Sequence, residues 1–236
     1  DILRELIYRT HPDVILLHAD PHFFLPYLKD LLAWQGPILG WFTIDYERNH
    51  NPDALLPLLR RCQRIAGMAD FGIQQMQKDF KGPLAKVPLG VNSQYFKPPD
   101  ASEKIALRDK LGVPKGAFLF LMVANNFWRK GIEYAIRGIA EYKQKYPQAA
   151  SQSIFHFHTE SNDTLAELIA VYGLQSHIRF TPDYDPYKNP LSIEDLVALY
   201  QSSDAFLLST LGEGFGMPIL EAMACGLPII VSDNSV

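Results

Sequence analysis

Short apolar runs alternate with longer amphipathic ones along the whole chain. "VILLH" (14–18), "ILGWFT" (38–43), "RIAGM" (64–68) and "AKVPL" (85–89) read as buried strands. "FLFLMVA" (118–124), "IFHFHT" (154–159), "IRFT" (178–181), "AFLLS" (205–209) and "PIIVS" (228–232) form a second series. Between them lie stretches of helical period, such as "KGIEYAIRGIAEYKQKY" and "SIEDLVALYQ". Strands alternating with helices predict α/β architecture, with parallel sheets covered on both faces. The crossovers should be right-handed. The series is broken at "GVNSQYFKPPDAS", which is polar and rich in proline. The reading is one lobe over 1–89, an interdomain linker over 90–101 and a second lobe over 102–236. The alternative is a long surface loop in one continuous sheet, which compact domains seldom contain. The first series has only four strands, and "PIIVSDNSV" ends the chain with no helix after its strand. Both points lead us to expect a fragment cut at both ends, its first lobe incomplete and its second lacking the last helices.

Composition changes this picture little. The 236 residues suit one large domain or two small ones, and 47% hydrophobic content is ordinary for a globular protein. The formal net charge of −4 offers no basic footprint for nucleic acid. No apolar run approaches the roughly 20 residues of a membrane span. Cys62 and Cys225 are far apart and form no C-x-x-C pair, which favours a reducing compartment. The expected location is cytoplasmic, with peripheral membrane contact open to the full protein.

"STLGEGFGMPILEAMACG" (209–226) concentrates the chemistry. It reads as strand end, glycine loop and short helix, with Pro218 in the first turn and Gly226 at the C-terminal cap. Such a loop turns backbone N–H groups toward an anion at a helix N-terminus. Gly214 and Gly216 would let a ligand approach the backbone. Glu221, about one turn into the helix, leans back toward the same place. Carboxylates beside a phosphate need another partner, and hydroxyl groups are the natural one. A sugar nucleotide has a phosphate flanked by two hydroxyl-rich rings, one for each of Glu213 and Glu221. The competing reading is a tight turn with Glu221 as a favourable first-turn charge.

The stretch "EGFGMPILEAMACGLPIIVSD" resembles the signature of retaining glycosyltransferases of the GT-B fold, glycosyltransferase family 4 (glycosyl transferases group 1). "VPLGVNSQYFKP" is similar to that family's interdomain stretch, and "NNFWRKGIEYAIRGIAEY" to its diphosphate-binding loop and helix. "LIAVYGLQSHIRF" and "LYQSSDAFLLST" fall in the same order and spacing. The resemblance covers nearly the whole chain and is strongest from Val87 onward. It implies two Rossmann-like doubly wound lobes, the N-terminal one on the acceptor side and the C-terminal one binding the nucleotide-sugar. The implied activity is transfer of a sugar from a nucleotide-diphosphate-sugar donor to a glycan, lipid or other hydroxyl acceptor, hexosyltransferase-like. This chain alone is expected to be a poor enzyme or none. On the resemblance, Glu221 binds the ribose hydroxyls and Glu213 contacts the donor sugar. The backbone of Gly214, Phe215 and Gly216 lies against sugar and diphosphate, and Lys130 binds the diphosphate. The family usually has an arginine where this chain has Asn125, and Arg129 is the candidate for the missing charge. Asp183 falls in a loop that lies near the nucleobase in the family. No metal ion or other cofactor is expected.

Other constellations compete. "DYD" (183–185) after a strand is the pattern of a divalent-metal site in the other major glycosyltransferase fold. His156 and His158 share one face of a strand, as half-buried strand residues or as a metal pair. Asp45 follows the strand "ILGWFT" and is an acceptor-side candidate or a turn-forming aspartate; His18 and Asp20 have a similar, weaker claim. A nicotinamide oxidoreductase would need G-x-G-x-x-G where the chain has "NNFWRKG". A sugar-nucleotide or glycan binding module without catalysis is the remaining alternative.

Overall fold

The computed structural model describes residues 2–45 and 52–233. They form two compact units: Asp1–Leu89 with Gly212–Gly216, and Gly90–Leu211 with Met217–Ser232. Each is an α/β layer structure around a parallel sheet.

In the first unit, β1 (Ile15–Ala19), β2 (Ile38–Phe42), β3 (Arg64–Gly67) and β4 (Leu84–Lys86) pair in sequence order, all parallel. Helix α1 (Ile2–Thr10) precedes them, and α2 (Leu28–Ala33), α3 (Pro52–Arg61) and α4 (Asp70–Asp79) connect them. Every step moves the same way across the sheet, so right-handed crossovers put the connecting helices on one face. That face holds the core: Leu17, Ile38, Phe42, Ile65, Leu58 and Met76 are buried together. Leu16 and His18 alternate with Leu17 and point the other way, into solvent among the described residues. The expectation of a sheet covered on both faces is therefore met on one face of β1 only.

In the second unit the strands are β5 (Phe118–Val123), β6 (Ser153–His158), β7 (Ile178–Phe180), β8 (Ala205–Leu208) and β9 (Ile229–Val231). Their order is β7-β6-β5-β8-β9, all parallel. The chain steps outward from β5 to β7, then crosses back to β8 on the other side. This reversal is the topological switch point of a doubly wound sheet, and ligands bind beyond the strand carboxyl ends there. Helices α6 (Ile132–Lys145), α7 (Pro147–Ala150) and α8 (Asp163–Val171) lie in the first half, α9 (Ile193–Ser202) and α10 (Met217–Ala224) in the second. Phe155 packs against Tyr142 of α6, with ring centroids 6.3 Å apart. Strand alternation then turns His156 and His158 to the opposite face.

Residues 90–100 pack as part of the second unit. Phe96 is buried edge-on against Tyr200, and the Gln201 amide donates to Lys97 O (3.0 Å). Helix α5 (Ala101–Lys110) starts at once, because Asp100 and Glu103 form a reciprocal capping box. Asp204, just before β8, accepts from Lys104, Arg108 and the Leu119 amide, which ties α5 to two strands. Among the described residues, no helix is long and apolar enough to cross a membrane.

Candidate functional site

The loops after β5 and β8 leave adjacent parallel strands at the same, carboxyl, end. They are tied to each other through the backbone. The Leu211 amide and the Thr210 hydroxyl both donate to Arg129 O (2.6 and 3.1 Å), and the Ser209 hydroxyl donates to Gly131 O (2.6 Å). Gly131 has φ 65°, and a Cβ there would collide with Ser209 O. On the other side, the Asn126 amide donates to Glu160 Oε2 (2.7 Å) at the end of β6. The short 3₁₀ turn Trp128–Lys130 is therefore held from two directions, with α6 starting directly after it. It carries Arg129 and Lys130, both half-buried; Asn125 is exposed at the loop's start.

Beyond β8 the expected loop and helix form. Pro218 lies in the first turn of α10, and Gly226 has φ 77°. The Gly226 amide donates to Met223 O and the Leu227 amide to Ala222 O, closing the helix in a Schellman arrangement. Glu221 is half-buried, and its Oε2 accepts from the Tyr200 hydroxyl (2.7 Å). Burial pushes the Glu221 carboxyl above its ordinary range, and the Tyr200 hydrogen bond opposes that. Tyr200 is fully buried, and burial followed by the Glu221 charge drives its phenol well above its usual range. Tyr200 is a partner that sequence reasoning missed: it lies 21 residues earlier, on another helix.

Glu213 is 4% exposed and falls in the first unit, with Gly214, Phe215 and Gly216. The sequence reading placed all of them in the second lobe, where the chain enters and leaves. Within the first unit, a Cβ on Gly214 would collide with Thr43 Oγ1 and Asp45 Oδ1, so the missing side chain makes room for protein atoms. Thr43 Oγ1 donates to Asp45 Oδ1 (3.2 Å). Gly216 has φ 80° just before α10. The site residues thus divide: Asp45 and 213–216 in the first unit; Asn125, Arg129, Lys130, Asp183 and Glu221 in the second.

The "DYD" segment builds a turn. Asp185 Oδ1 accepts from the Tyr187 and Lys188 amides (2.8 Å each), which lowers its carboxyl below the usual range. Asp183 is exposed with φ 52°. His156 Nε2 and His158 Nδ1 both meet Thr181 Oγ1 at 2.9 Å. Both rings are buried, and burial lowers their pKa values to about 3 and about 4. Among the described residues, no three His, Cys, Asp or Glu side chains form a metal-holding group. Asp20 accepts from the His22 amide (2.9 Å) at the start of a 3₁₀ turn, and the exposed His18 lies against Trp41.

Over 133 residues the chain is 34% identical to the serotype-specific mannosyltransferase WbdA of Escherichia coli, covering 54% of this chain and 15% of that protein. It is 28% identical over 216 residues to a glycosyltransferase of Methanocaldococcus jannaschii, covering 88% of this chain and 52% of that one. Among solved structures, sucrose-phosphate synthase from Thermosynechococcus elongatus superposes with a TM-score of 0.76 at 17% identity, over 97% of this chain and 58% of that one. Anabaena HepE in complex with UDP-glucose does so with 0.77 at 16% identity, over 98% and 62%. The chain spans 15–52% of the length of these two curated relatives. The family profile described as Glycosyl transferases group 1 matches residues 103–236, and the chain belongs to that family.

Proposed function

We propose that the protein transfers a sugar from a nucleotide-diphosphate-sugar donor to a hydroxyl acceptor, with retention of configuration. One observation supports this most. At the switch point of the second unit, the loop bearing Arg129 and Lys130 is bonded to the loop that leads toward Glu213 and α10. Two cations stand where a doubly wound sheet receives a phosphate. Glu221, on the helix that follows, takes the ribose hydroxyls as an acceptor-only group. Tyr200 holds one of its oxygens and leaves the other for ligand. Glu213 takes the donor sugar and Asp45 the acceptor side, as the family resemblance implies.

The chemistry follows from where charge develops. Breaking the bond between the sugar and the diphosphate leaves negative charge on the departing oxygen. Lys130 and Arg129 meet that charge more strongly in the transition state than in the ground state. The protein's own cations do this work, so no metal ion is required. The donor nucleotide is bound by the second unit, and a glycan, lipid or other hydroxyl compound accepts the sugar. The WbdA relative is a mannosyltransferase and the HepE neighbour holds UDP-glucose, so hexoses are the sugars to test first.

The test is release of nucleoside diphosphate together with glycosylated product, from a panel of UDP-, GDP- and ADP-sugars. Lys130→Ala should lower turnover by roughly 10²–10³, and chelator should leave it unchanged. Strict dependence on Mn²⁺, lost in Asp183→Ala or Asp185→Ala, would overturn the assignment. Reversible binding with no product would instead make the protein a sugar-nucleotide binding module.

A further inference from the structure

A chain of buried and half-buried polar side chains crosses β6 and β7 and ends at the carboxyl edge of the second unit's sheet. Its directions can be assigned. Arg179 Nε can only donate, so His156 Nδ1 accepts (3.0 Å). The His156 proton is then on Nε2 and goes to Thr181 Oγ1 (2.9 Å). The Thr181 hydroxyl has one proton of its own, and the partner left for it is His158 Nδ1 (2.9 Å). His158 is therefore the tautomer with its proton on Nε2. Arg179 is anchored in turn by Nη1 donating to Leu111 O (3.1 Å). Burial keeps both imidazoles neutral, with pKa values of about 3 and about 4.

The far end of this chain is what matters. His158 is 4% exposed, and the Tyr184 ring lies 4.0 Å from it, centroid to centroid. Its Nε2 makes no hydrogen bond within the described protein and is not sealed from solvent. A nearly buried ring thus keeps one N–H that no described residue satisfies. It can donate and cannot accept.

Its position is equally defined. His158 pairs with Val123 of β5, and the Ala124 amide donates to His158 O (3.2 Å), so it stands beside the start of the Arg129–Lys130 loop. It faces away from α6. Because the strand order reverses at β5, right-handed crossovers put α10 and Glu221 on that same face. One strand, β5, separates β6 from β8, a spacing of about 10 Å.

We propose that the His158 Nε2–H reads the base of the donor nucleotide, and that Arg179, His156 and Thr181 are positioning residues that keep it a donor. This rests on the nucleotide-sugar reading above. The consequence is a choice between bases. Uracil and guanine offer a carbonyl oxygen (O4, O6) where cytosine and adenine carry an amino group (N4, N6). An amino group set against this N–H puts donor against donor and leaves both unpaired, which a hydrogen-bonding site rejects strongly.

The experiment is calorimetric titration of UDP, GDP, CDP and ADP into the full chain, its His158→Ala variant and its Thr181→Val variant. The tautomer of His158 is read in parallel from imidazole ¹⁵N shifts. UDP or GDP should bind at least roughly tenfold tighter than CDP and ADP. His158→Ala should bring the ratio close to one. Thr181→Val should keep nucleotide binding, lose the pure Nε2–H signature and narrow the ratio. Equal affinity for all four nucleotides in the unaltered protein would overturn the proposal and leave the donor reading standing. So would an unchanged ratio in both variants, or a proton found on His158 Nδ1. No binding of any nucleoside diphosphate would overturn the donor reading, and this proposal with it.

Discussion

Replacing Glu221 separates two roles that the structure gives one side chain. Tyr200 is fully buried, and its hydroxyl donates to Glu221 Oε2. Glu221→Ala leaves that hydroxyl without an acceptor, at a cost of about 1–3 kcal/mol in stability. A sequence-based view, blind to Tyr200, predicts little change in stability. The same substitution removes a charged acceptor from the proposed ribose site. Hydrogen bonds to charged groups are worth about 1.5–3 kcal/mol, so nucleotide affinity should fall by about 10- to 150-fold. Glu221→Gln keeps an oxygen for Tyr200 and loses the charge, so it should spare stability more than affinity. Tyr200→Phe does the reverse: it removes the hydroxyl and keeps the carboxylate for ligand. Urea denaturation measures the first quantity, and calorimetric titration with a nucleoside diphosphate measures the second. If Glu221→Ala lowers the urea midpoint while affinity stays unchanged, Glu221 is only the partner of Tyr200, and the ribose role is refuted.

Two further outcomes follow from the second unit. The folded pKa values of His156 and His158, about 3 and about 4, lie below the unfolded value of 6.5. Their stabilising contribution is thus present above pH 6.5 and lost as the pH falls through the folded values, to about 4 for His158 and about 3 for His156. Moving from pH 7 to pH 5 should cost about 2 kcal/mol through His156 alone. Urea midpoints that match at the two pH values would contradict the burial of that ring. Gly131→Ala combines a left-handed backbone with a collision at Ser209 O, so it should lower the melting temperature and weaken nucleotide binding together. A variant as stable and as tight as the parent would show that the Arg129–Lys130 loop does not need this geometry.

Much of the fold is legible from sequence because each apolar run is buried in a parallel sheet, where strands need continuous hydrophobicity. "FLFLMVA" at 118–124 becomes β5 over Phe118–Val123, and "IFHFHT" at 154–159 becomes β6 over Ser153–His158. The prolines before Asp100 read as a linker from sequence, and the capping box of Asp100 with Glu103 forms no part of that reading. The loop and helix around Gly226 were legible through local turn chemistry. What escaped is non-local. Tyr200 meets Glu221 across two helices, and Thr181 meets His156 and His158 only once β6 and β7 are in register. Neither contact leaves a periodic mark on the chain. The grouping of Gly214 with Thr43 and Asp45 is likewise a matter of packing at a distance of well over a hundred residues.

The central claim is that the second unit receives a nucleotide at the carboxyl ends of β5 and β8. Amide spectra of ¹⁵N-labelled protein during titration with UDP and GDP test it most directly. The account predicts shifts at residues 125–131, 209–211 and 217–221, saturating together with one dissociation constant. Shifts confined to the amino ends of the strands, at 114–117 and 151–154, would contradict it.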